Sequence, residues 1–71
     1  MVVVGIFHSE WAEENAIRLV GAHSDEIYEE RIADQEILLS VRARDLRQAE
    51  KLRAVLKHAG AEHIEIDAEA A

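Results

Sequence analysis

The order and spacing of apolar residues predict a small α+β domain of ferredoxin-like architecture, a βαββαβ sandwich in which two helices cover one face of a four-stranded antiparallel sheet. Three observations carry that expectation. The chain opens on a run of β-branched and apolar residues at 2–7, as in a strand from the middle of a sheet. Two segments of helical period each begin after a residue suited to capping a helix and stop at a glycine. Before the second of them lies a segment that alternates apolar and polar residues, the pattern of a strand with one buried face.

Val2-Val3-Val4-Gly5-Ile6-Phe7 is the first strand. Ser9 follows as an N-cap, and Glu10, Glu13 and Glu14 place negative charge where the helix dipole favours it, so a helix starts at Glu10. Its apolar stripe is Ala12, Ala16, Leu19 and Val20, with Ile17 at the margin and Trp11 nearly opposite. Gly21 ends it, and His23-Ser24-Asp25 turns the chain. Ile27 to Ile32 reads as a polar strand near a sheet edge, joined through Ala33-Asp34-Gln35 as a hairpin to the next strand.

In that next strand, Glu36 to Arg44, residues Ile37, Leu39, Val41 and Ala43 face one way and Leu38, Ser40, Arg42 and Arg44 the other. Asp45 caps the second helix, with Gln48 placed for a capping box and Gly60 as the stop. Its apolar arc is Leu46, Ala49, Leu52, Val55, Leu56 and Ala59. The last strand, Glu62 to Asp67, turns Ile64 and Ile66 inward and His63, Glu65 and Asp67 outward, and residues 68–71 are expected to fray.

The chain reads as one domain over residues 1–71, and 71 residues is near the lower limit for a self-sufficient core, which favours self-association. With no cysteine, neither a disulfide nor a thiolate metal site supplies extra stability. The apolar run at 2–7 is too short to span a bilayer or to serve as a signal peptide, so the expected place is the cytoplasm, with no membrane partner. A net charge of −7 opposes general nucleic-acid binding. The middle of the chain is nevertheless basic: residues 37–61 hold six bases against Asp45 and Glu50.

Little in the chain points to catalysis, and an enzyme is not expected. His8-Ser9-Glu10 has triad residue types, but neighbours in sequence lack triad geometry and Ser9 is better used as a cap. Glu13-Glu14 and Glu29-Glu30 read as solvated charge, and no phosphate-binding glycine loop or nucleophile elbow is present. His58 and His63, with His8 and His23, do not match a known ligand spacing, so surface histidines are preferred to a metal site and no cofactor is expected.

Two surfaces remain. The uncovered sheet face receives either Val2, Val4 and Ile6 or Val3 and Phe7 from the first strand, together with Leu38; Val3, Phe7, Leu38 and the outward Trp11 are the candidate interface residues of a homodimer. Arg42, Arg44, Arg47 and Lys51 are candidate anion-binding residues, against the plainer reading of a solvated helix face with a Glu50-Arg53 pair.

Val4-Gly5-Ile6-Phe7 followed by Ala12, Ala16-Ile17 and Val20-Gly21 resembles the opening of the small bacterial general-stress domain found in heat-induced stress proteins of the 17M type. Ile37 to Ala43, and Leu56 through Gly60 to Ile66, resemble its closing half. The resemblance implies a bacterial cytosolic domain linked to stress or envelope-associated proteins, with no catalytic residues to carry over. The same topology serves regulatory modules of the ACT and nitrogen-regulatory PII type, which bind effectors between subunits; by that fold analogy a small anionic effector is the alternative to a non-catalytic interaction domain.

Overall fold

A computed structural model describes residues 1–24 and 26–67 of the chain; Asp25 of the expected turn and the expected frayed tail, 68–71, lie outside the described residues. The elements run β1 (Val2–Phe7), α1 (Glu10–Val20), β2 (Ile27–Ala33), β3 (Glu36–Arg42), α2 (Leu46–Ala59) and β4 (His63–Asp67). The strands form one antiparallel sheet in the order β2-β3-β1-β4, the split βαβ arrangement that the sequence predicts. The α+β ferredoxin-like fold is thus the fold of this chain.

Local chemistry explains where the helices begin and end. The Ser9 hydroxyl accepts from the Ala12 amide, and Asp45 Oδ1 accepts from the Gln48 amide at 2.8 Å. Gln48 reaches back one residue beyond the cap, its Oε1 accepting from the Arg44 amide at 2.7 Å and not from the Asp45 amide of a strict capping box, while Nε2 donates to the His23 carbonyl. Gly60 closes α2 in the left-handed region, with φ of 109°. Gly21 caps α1 with ordinary helical angles, so no left-handed turn is used there.

The core lies between the helices and one sheet face. Val3, Phe7, Leu39 and Val41 from the sheet meet Ala16 and Val20 of α1 and Ala49, Leu52 and Leu56 of α2, all without solvent exposure. Ile64 and Ile66 of β4 pack against this cluster half-buried, in register with Gly5 and Val3.

Several expectations need correction. Val3 and Phe7 are fully buried beneath the helices and do not reach the open face; Gly5, between them, leaves space on that side for Leu56, and only the face with that gap admits α2. Leu19 is 40% exposed, because the buried line of α1 runs through Glu13, Ala16 and Val20, to one side of it. Leu46 is 56% exposed, standing in the first turn at the margin of the arc centred on Leu52 and Leu56. β3 ends at Arg42, although Ala43 is buried as its alternation predicts, and the hairpin loop shrinks to Asp34-Gln35 because β2 runs on to Ala33.

Candidate interaction face

The strand register defines the face that no helix covers. Three rows cross it from β2 to β4. Tyr28, Ser40, Val4 and Glu65 form the middle row, with Glu30, Leu38, Ile6 and His63 on one side of it. On the other side Arg42, Val2 and Asp67 are aligned, and Glu26, just before β2, pairs with Arg42 at 3.8 Å. Val2, Val4, Ile6 and Leu38 are half-buried on this face, so an apolar strip occupies the two central strands. The flanking strands supply the polar rim of Tyr28, Glu30, His63 and Glu65, all exposed. An apolar centre with a polar margin is the usual anatomy of a protein interface.

Of the candidate interface residues, Leu38 lies on this face and Val3 and Phe7 do not. Trp11 is 76% exposed on α1, across the molecule from the strip, so it belongs to a separate surface.

The four basic candidates are also divided. Arg42 and Arg44 line a groove of about 520 Å³ with Gly21, His23, Ser24 and Gln48, where the end of α1 meets the start of α2. Arg47 and Lys51 are exposed on α2 and do not line it. Within the groove Ser24 Oγ donates to the Arg42 carbonyl at 2.8 Å and accepts from the Glu26 amide. His8 approaches Glu62 at 3.7 Å and His63 approaches Glu65 at 3.2 Å, and among the described residues no three histidine or carboxylate side chains converge as metal donors.

Glu13, expected with Glu14 to be solvated charge, is instead buried. Its side chain is 1% exposed, and its Oε2 has no hydrogen-bond partner among the described residues. Glu10, Glu14, Glu29, Arg31 and Ile37 surround it in a notch between α1 and β2, where Arg31 pairs with Glu10 and donates to the Asp34 carbonyl at 2.9 Å. Burial, then a hydrogen bond and repulsion from the Glu29 carboxylate, then repulsion from Glu14 and Glu10, push the Glu13 carboxyl up to about 7. The signal for it was its spacing: Glu13 precedes Ala16 and Val20 at helical intervals, on the buried line.

No helix among the described residues is long and apolar enough to cross a membrane. No protein-family model, curated protein or solved structure matches this chain.

Proposed function

We propose that this chain is a non-catalytic interaction domain that acts as a homodimer through its open sheet face. The carrying observation is the strip of Val2, Val4, Ile6 and Leu38 on the two central strands, which no helix covers among the described residues. An apolar strip with a polar rim is the surface a second copy of the chain would cover. A role in bacterial stress, in the cytoplasm, follows only from the resemblance of the core and turn residues.

The test is Leu38→Asp, with subunit number read by native mass spectrometry and sedimentation. The expected result is a folded monomer from a dimeric parent. A variant that remains as dimeric as the parent overturns the assignment of the interface, and a parent that is monomeric at every concentration overturns the reading.

A second reading, a regulatory module for a small anionic effector, is favoured by the groove that holds Arg44 beside His23 and Gln48, with Arg42 there paired to Glu26. It predicts a thermal shift with at least one member of a panel of nucleotides, amino acids and phosphorylated metabolites, lost in Arg44→Ala; no shift with any of them removes it.

A further inference from the structure

A twofold interface is self-complementary, so the pattern of side chains on the open face restricts how two copies can meet. In the aligned class of sheet packing, the strands of the two sheets stay within about 30° of each other at a separation of about 10 Å. That leaves two simple orientations for the twofold axis, parallel to the strands or across them.

An axis across the strands lays each strand on its own counterpart and reverses the rows. Glu65 then meets Glu65 of the other copy, Glu30 meets Glu26, and Arg42 is set over Leu38. This axis also sets Val4 on Val4, Val2 on Ile6 and His63 on Asp67, but Glu30 against Glu26 occurs twice and Glu65 opposes itself on the axis, between chains that carry −7 each.

An axis parallel to the strands, between β3 and β1, keeps the rows and exchanges β3 with β1 and β2 with β4. Leu38 then stacks on Ile6 of the other copy, at the centre of the apolar strip. Glu30 meets His63, Tyr28 brings its hydroxyl to Glu65, and Arg42 lies over Val2, beside Asp67. Glu26 comes near Asp67 in this arrangement, with Arg42 between them. Of the apolar strip, Leu38 and Ile6 meet each other while Val4 meets Ser40, and most of the charged rim meets a complementary partner.

We propose that two copies of this chain pack open face to open face about a twofold axis parallel to the strands and between β1 and β3, with Glu30 of each copy against His63 of the other. This rests on the homodimer reading above and adds its geometry. Four strands about 4.8 Å apart and about five residues about 3.3 Å apart along each give a platform of roughly 300 Å² per copy, a small and weak interface. The dimer is therefore expected to dissociate on dilution.

A charge exchange tests the axis. Within one copy Glu30 and His63 lie three strand spacings apart, about 14 Å, so they do not touch each other, and any coupling between them must cross the interface. Sedimentation equilibrium of the full chain near pH 7.5 should show His63→Glu weakening the dimer at least tenfold, since it sets a carboxylate against Glu30 twice. The double variant Glu30→Lys, His63→Glu places opposite charges at both positions and should return the dimer to within about threefold of the parent, a recovery larger than Glu30→Lys alone gives to the parent, as contact between the positions requires. Circular dichroism checks that each variant folds, and both positions are exposed.

A dimer that is lost in Leu38→Asp but is not rescued in the double variant overturns the axis and leaves the interface standing. A parent that never dimerises overturns both.

Discussion

Leu56 fills the space over Gly5: a β-carbon placed on Gly5 would stand 3.3 Å from Leu56 Cδ1 and 3.4 Å from Ala61 Cβ. Gly5 is buried in the central strand, so this absence of a side chain sets how closely α2 lies on the sheet. Gly5→Ala asks for a shift of a few tenths of an ångström from the end of one leucine. Gly5→Val asks for more than Leu56 can give, and should cost about 1–3 kcal/mol by overpacking. Urea denaturation checks it, and trimming Leu56 to Val in the same chain should recover part of the loss, because the two positions share one space.

Gly60 tests a different term. Its φ of 109° is strained for any side chain, while the nearest atom to an added β-carbon, Ala12 Cβ at 3.8 Å, leaves room. Gly60→Ala should therefore lose about 1–2 kcal/mol from the backbone alone, and Gly60→Asn less, since asparagine tolerates left-handed angles better. Equal losses from the two would show that space and not conformation decides this turn.

At the other end of α2, Gln48 joins three segments: its amide donates to Asp45, its Oε1 accepts from Arg44 and its Nε2 donates to the His23 carbonyl at 2.7 Å. Gln48→Glu keeps the acceptor for the Arg44 amide but turns a carboxylate oxygen toward a carbonyl, so it should be less stable than the parent by about 1 kcal/mol. Asp45→Ala removes the cap itself and should cost about 1 kcal/mol. Thermal denaturation separates the two if Gln48→Glu recovers at low pH, where its carboxyl is protonated and can donate to His23, while Asp45→Ala does not.

These devices were legible because each has a local signature. Ser9, Asp45 with Gln48, and Gly60 mark helix ends by chemistry that acts over three or four residues, and β3 alternates strongly enough to give its face. β1 gave no such contrast. Both of its faces are apolar, and the choice between Val3 with Phe7 and Val2 with Val4 and Ile6 rests on the fit of Leu56 over Gly5, a contact between residues far apart in sequence. The basic residues are divided for a similar reason: adjacency in sequence placed Arg42 and Arg44 near Arg47 and Lys51, but the turn from β3 into α2 sends them to different surfaces. Glu13 was hidden by its type, since a glutamate in the first turns of a helix is ordinarily a solvated partner of the dipole.

The burial of Glu13 gives stability a dependence on pH. Its carboxyl is raised from 4.5 to about 7 by desolvation first and by Glu29 second, so between those values the folded chain holds a proton that the unfolded chain has released. Stability from this group is therefore full below pH 4.5, falls as pH rises and is lost above 7, where Glu13 and Glu29 are both charged. At mid-range one proton separates the two states, and the total loss is on the order of 3 kcal/mol. The groups that face it are Glu10 and Glu14 from α1 and Glu29 and Arg31 from β2, with only apolar Ile37 from β3. Glu13→Gln removes the titration and keeps a donor for Glu29. Its melting temperature should change little between pH 5 and 8, where the parent's falls. A carboxyl carbon resonance of Glu13 that titrates near 4.5, or an equal slope in the glutamine variant, would show that the fall has another source.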